Sequence, residues 1–285
     1  MKPDPRFLNQ PKHFWANVRT ISQHVGYTAR GKGQVLVPDL AVIVRALGEL
    51  GLGTAHVSLQ TGKLTPFGSS LVAYFAYRAD VLNKFVKPCL MDAEQAEKAF
   101  ARVQKSTKSK LAVPMNKQKG DKKKPAFLTA IVNMLIDANI RGLPCDFDPR
   151  ELTTFTQLGA PLRTLARRID GAFPSAVNPV AVWEIKEYYH TTTFGSRVAD
   201  GVYETLLDGM ELEELRQTEK VACKHYLMID ARYTWWDCGR SYLCRIVDML
   251  HMGYVDEVLI GTEVLDRLPK LAREWAALVK ARVSS

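Results

Sequence analysis

The segment Arg168-Ile169-Asp170-Gly171-Ala172-Phe173-Pro174, continued by Pro179-Val180-Ala181-Val182-Trp183-Glu184-Ile185-Lys186-Glu187-Tyr188-Tyr189, decides how the chain folds. An aspartate stands before a turn. A hydrophobic strand follows and carries Glu-Ile-Lys near its far end. Side chains alternate between the faces of a strand. Ala181, Trp183 and Ile185 therefore share one face, and Val180, Val182, Glu184 and Lys186 share the other. The first face is apolar throughout. The second is apolar and then ionic, as in a strand that leaves a core and reaches a cleft.

Two carboxylates, Asp170 and Glu184, suit a hard divalent cation, because Mg²⁺ takes one or two carboxylates together with waters and phosphate oxygens. Such an ion polarises a phosphate and acidifies a bound water. Lys186, on the same strand face as Glu184, is placed to orient that water or to neutralise charge building on the phosphate. A lysine beside a dication can also have its pKa lowered, which would suit proton transfer.

Asp170, the short gap from Pro174 to Pro179 and Glu184-Ile185-Lys186 on a hydrophobic strand resemble the motif of the PD-(D/E)XK nuclease superfamily, which includes many type II restriction endonucleases. The helix after Phe194 and the later strand–helix–strand fit the same pattern. Ile169 stands where the nominal motif has proline, and no convincing strand precedes the one bearing the aspartate. The resemblance implies an α/β (α+β) domain, with a restriction-endonuclease-like mixed sheet flanked by helices. It implies Mg²⁺, with Mn²⁺ as a substitute, held by Asp170, Glu184 and the backbone carbonyl of Ile185. Lys186 would orient or deprotonate the attacking water. The expected reaction is hydrolysis of phosphodiester bonds in double-stranded DNA by a type II restriction endonuclease. One such site cuts one strand, so a two-fold homodimer is expected. The alternatives are a low-specificity DNA repair or phage-defence nuclease, and a catalytically inactive DNA-binding protein of the same fold.

The chain has 285 residues, 47% hydrophobic and 24% charged, the composition of an ordinary globular protein with a sizeable core. No run approaches the length of a membrane span, and the first residues lack the apolar core of a signal peptide. A cytoplasmic protein is expected. Five scattered cysteines form no Cys-x-x-Cys pair and give no support to zinc or redox motifs. Gly62-Lys63 does not complete a phosphate-binding loop, so no nucleotide cofactor is expected. The formal charge is +9, and eight lysines against one aspartate between residues 105 and 124 supply most of it. A polyanionic partner fits that surplus.

The spacing divides the chain into a mainly helical N-terminal domain (1–104), a lysine-rich loop or linker (105–124) and a nuclease domain with a helical lead-in (125–285). Residues 1–12 read as a poorly ordered polar lead. Helices are expected from His13, from Asp39, from Thr65 and from Asp92. Lys122, Lys123 and Lys124 are candidates for phosphate contacts. Pro161 to Ile169 reads as a helix bearing Arg163, Arg167 and Arg168, which would meet phosphates or solvent. After the Glu-Ile-Lys strand, His190, Thr191 and Thr192 leave the sheet beside the proposed site and are candidate phosphate ligands. Ser196 is a candidate N-cap and Arg197 a candidate phosphate contact. Asp200, Glu204 and Asp208 recur at intervals of four on the following helix. Like charges at that spacing cost stability unless cations or a metal lie opposite. Glu204 is the candidate supporting carboxylate, bonding Lys186 or a metal-bound water, against the alternative of a solvated helix face. Tyr233 to Asp237 reads as an aromatic loop whose tryptophans would stack on bases or pack inward. Pro269 is expected to break the last helix.

Overall fold

The computed structural model of the protein describes residues 1–29, 33–118, 121–190 and 195–284, without the side chains of 117, 118, 121–123, 283 and 284. The N-terminal part is helical: α1 (Pro5–Leu8), α2 (Lys12–Val25), α3 (Leu40–Glu49) and α4 (Pro66–Val81). A π-helical stretch (Leu82–Val86), α5 (Lys87–Cys89) and α6 (Ala93–Thr107) continue it. Local chemistry sets the starts. The Asp39 side chain accepts from the Val42 amide, Thr65 accepts from Gly68 with Pro66 opening the helix, and Asp92 and Gln95 form a reciprocal cap.

Then come β1 (Met115–Gln118), β2 (Asp121–Pro125), α7 (Phe127–Asp137), β3 (Thr154–Gln157) and β4 (Ala160–Thr164). The remaining elements are β5 (Gly171–Phe173), β6 (Ala181–Glu187), α8 (Ser196–Thr218), β7 (Lys224–Asp230), α9 (Arg240–His251), β8 (Glu257–Ile260) and α10 (Glu263–Ser284). The main sheet has the order β5-β6-β7-β8, antiparallel between β5 and β6 and parallel thereafter. The fold is thus mixed α/β. Side-chain alternation splits the core into two layers. Trp183, Tyr226, Met228 and Leu259 pack under α6, α7 and α10. Leu227, Ile229, Val258 and Ile260 pack under α8, α9 and the π-helical stretch. Trp275 of α10 stacks on Trp183 at 5.5 Å. Phe14, Ile21, Ile43, Leu71 and Phe75 make a third cluster among the N-terminal helices. Arg78 of α4 pins this part to α9, its Nη1 3.0 Å from Asp248 Oδ2 with both side chains buried. No helix among the described residues is long and apolar enough to cross a membrane.

Several expectations need correction. The N-terminal residues are not a loose lead: Phe7 is buried, and the Met1 nitrogen donates to the Val258 carbonyl and pairs with Glu263. The lysine-rich stretch is not a loop or linker. It contains the end of α6 and an antiparallel hairpin, β1 with β2, closed where the Ala126 amide donates to the Pro114 carbonyl. Backbone ladders need no apolar period, so the lysines concealed it. Residues 161–169 form no helix. Leu158 and Gly159, both at positive φ, turn the chain back, and Pro161 and Arg163 pair across to β3. Asp170 does not precede a turn but leads straight into β5; the turn comes after Phe173. Tyr233–Cys238 is a π-helical turn with Trp235 and Trp236 buried, so these rings pack inward. Pro269 lies inside an unbroken α10, where the burial of Leu268, Leu271, Ala272 and Trp275 outweighs one lost backbone bond.

Candidate active site

The ladder between β5 and β6 ends at the pair Gly171 and Trp183. Beyond it, the Asp170 carboxylate takes the place of the missing strand. The Ile185 amide donates to Asp170 Oδ2 at 2.7 Å, and the Asp170 amide donates to Glu184 Oε1 at 3.2 Å. The N–H and C=O of one strand residue point to the same side. The Ile185 carbonyl therefore faces the edge on which Asp170 stands. On the far side of β5, Asp146 makes a single antiparallel bridge to Ala172. That bridge stands where the resemblance leads one to expect a full strand.

Glu184 is fully buried. Lys186 Nζ lies 2.6 Å from its Oε2 and 4.0 Å from Asp170 Oδ2. Lys186 also reaches Glu204 Oε2 at 3.0 Å, across from α8. Close approach of that helix depends on Gly201, where a Cβ would stand 3.1 Å from Lys186 Cδ. Arg167, arriving from β4, closes the cluster. Its Nη1 is 3.0 Å from Glu184 Oε1 and 2.6 Å from Asp208 Oδ2, and its Nη2 is 3.3 Å from Glu204 Oε2.

Four carboxylates thus share two cations, leaving a surplus of two negative charges. The titration behaviour reflects that shortage. Partial burial and then the Glu184 charge push Asp170 up to about 6. Burial and Glu184 likewise push Asp208 up to about 7, and its Oδ1 is buried without a hydrogen-bond partner among the described residues. Burial pushes Glu184 upward too, but Lys186 and Arg167 outweigh it and hold the carboxyl below its usual range. Burial opposes the charge on Lys186, yet Glu184 and Asp170 prevail and raise its pKa. Without a metal ion beside it, Lys186 is therefore held as an ammonium.

No group of three or more His, Cys, Asp and Glu side chains among the described residues is arranged to hold a metal ion. A hard cation that keeps most of its waters needs fewer. Asp170, with 42% of its side chain exposed, and the Ile185 carbonyl offer oxygen donors where the local charge is two short, while both Glu184 oxygens are taken by Arg167 and Lys186. A divalent ion would fit here by displacing one of those cations from Glu184. A cavity of about 630 Å³ opens onto Asp170, Ile185 and Lys186 and extends to Met115 and Asn116 of the lysine hairpin. A smaller cavity, about 330 Å³, lies on the other side of Asp170 beside Arg167 and Arg168.

The remaining candidates are placed as follows. Arg168 is exposed at the smaller cavity, and Arg197 is exposed at the start of α8. Ser196 is not the cap; Gly195 occupies that position and no side chain caps the helix. His190 lies near Phe127, and burial and then Lys124 lower its pKa, so it is neutral rather than a cationic phosphate ligand. Lys124 is exposed at the end of β2. Thr191 and Thr192 lie outside the described residues, as do the side chains of Lys122 and Lys123. Sequence reasoning missed Arg167 and Asp208 as partners of the site. The acidic period of four on α8 signalled Asp208. Arg167 was one of three similar arginines, and only the extended path after β4 singles it out.

Residues 91–275 match a family described as a domain of unknown function, DUF7687, and residues 1–85 match a second such family, DUF7690. No curated protein and no solved structure matches the chain.

Proposed function

We propose that this chain, which belongs to the DUF7687 family, is a Mg²⁺-dependent endodeoxyribonuclease of restriction-endonuclease-like fold. It would hydrolyse phosphodiester bonds in double-stranded DNA as a two-fold homodimer, in the manner of type II restriction endonucleases. The observation that carries the reading is the convergence of Asp170 and Glu184, far apart in sequence, around the Ile185 backbone with Lys186 alongside. The sheet order and the edge bridge at Asp146 support the fold. Five free cysteines suit a reducing cytoplasm.

Asp170, Glu184 and the Ile185 carbonyl would hold Mg²⁺, which when bound supplies Lewis-acid polarisation of the phosphate and a more acidic water. Lys186 would orient the attacking water and donate toward the scissile phosphate. Glu204 steadies the Lys186 ammonium. Arg168 and Lys124, both exposed, would neutralise flanking phosphates, with the other lysines of the β1–β2 hairpin as further candidates. Dialysis against chelator, followed by Mg²⁺ addition with plasmid as substrate, tests this. Discrete fragments indicate restriction, and a smear indicates a low-specificity repair or defence nuclease.

One observation favours a second reading. Arg167 and Lys186 occupy both oxygens of a carboxylate that has no exposed surface. A site closed in this way would also suit a DNA-binding protein that no longer cuts. Retention of DNA without cleavage in the same assay would support that reading.

A further inference from the structure

Away from the carboxylate cluster, α2, α8 and α9 enclose a groove of about 760 Å³. That volume lies within the range of small-molecule sites. Val202, Leu206 and Met249 give it apolar walls, and Tyr27 and Tyr203 add ring faces. Two guanidinium groups stand on it. Arg245 is 4.9 Å from the ring centre of Tyr27 and 4.9 Å from that of Tyr242. Arg19 Nη2 is 3.3 Å from Met252 Sδ, a weak acceptor. The acids nearby are already engaged, Asp248 with Arg78 and Tyr74, and Glu49 with His24. Among the described residues neither arginine has a carboxylate on it.

We propose that this groove binds a nucleoside phosphate. A guanidinium held between aromatic faces presents its planar donor edge, and that edge matches phosphate oxygens two at a time. Tyr203, with 52% of its surface exposed on α8, offers a face for a planar base over Leu206. Apolar walls with a few convergent charges are what an amphipathic, anionic ligand requires. The occupant would also touch the helix that presents Glu204 and Asp208 to Lys186 and Arg167. Binding itself is independent of whether the carboxylate cluster cuts DNA.

Calorimetric titration of the full chain in excess chelator, with each of the four ribonucleoside monophosphates, tests this, alongside the four matching nucleosides and inorganic phosphate. At least one monophosphate should bind tighter than about 1 mM. Its nucleoside and inorganic phosphate should each bind about tenfold more weakly or worse. R19Q and R245Q should each weaken binding about tenfold, and E184Q should leave it unchanged. Arg19 is exposed, so R19Q remains informative even if R245Q fails to fold. Absence of binding by all four monophosphates overturns the proposal. So does undiminished binding in R19Q, or binding that E184Q abolishes.

Discussion

Arg167 closes over Glu184, its Nη1 3.0 Å from Oε1 of a carboxylate with no exposed surface. The same guanidinium reaches Asp208 and Glu204. Removing it would leave buried negative charge that only Lys186 offsets. R167Q should therefore destabilise the metal-free protein by about 3–5 kcal/mol, the usual cost of breaking a buried pair. Mg²⁺ should restore more stability to R167Q than to the wild type, because the ion meets a larger charge deficit. Urea unfolding with and without Mg²⁺ measures both effects.

Glu184→Ala is a poor probe of chemistry for the same reason. Glu184 is buried between two cations, so truncating it also strands their charge and costs stability. E184Q preserves volume and the bonds to one of the two oxygens, and it is the better test.

Asp248 joins the N-terminal helices to the sheet layer, accepting from Tyr74 at 2.6 Å and from Arg78 at 3.0 Å. D248A should cost about 3–5 kcal/mol by stranding the Arg78 charge. Adding R78M should recover part of that loss. A double-mutant cycle by chemical denaturation would show the coupling, and strict additivity would contradict it.

Burial pushes Asp230 up to about 7 even though the Tyr189 hydroxyl and the amides of Ala231 and Met91 bond it. A folded-state pKa above the unfolded one means that the folded protein holds more protons between about 4 and 7. The contribution of Asp230 to stability is therefore present at low pH and lost as pH rises through 7. The carboxamide introduced by D230N would keep the two amide bonds and donate to Tyr189, as the protonated acid does. This variant should thus be more stable than wild type at pH 8.5, with the gap closing at pH 5.5. Denaturation midpoints at both values decide it.

The β1–β2 hairpin flanks the larger cavity at the candidate site. Replacing Lys122, Lys123 and Lys124 by alanine should weaken DNA binding without regard to sequence. The slope of log affinity against log salt should shrink by about three, roughly one per lost phosphate contact. An unchanged slope would place these lysines off the DNA.

The decisive strand was legible because its two faces differ chemically. Ala181, Trp183 and Ile185 do pack on one core layer and Lys186 lines a cleft, whereas Glu184 is buried between Arg167 and Lys186. Helix starts at Asp39, Thr65 and Asp92 were legible from capping chemistry. The hairpin from Thr154 to Thr164 was not, because its turn uses Leu158 at positive φ, a residue that carries no turn signal. That one error also concealed Arg167, since a helix and an extended chain send its side chain in different directions. The docking of Phe7 was hidden among prolines and charges that elsewhere mark loose ends.

The rate of plasmid nicking and cutting by metal-stripped protein, with Mg²⁺ restored, tests the central claim most directly. Wild type should cut only with the ion present. E184Q and K186A should fall at least about 100-fold while still binding DNA and unfolding cooperatively. Cleavage by the wild type in excess chelator, or by either variant at the wild-type rate, would contradict the account.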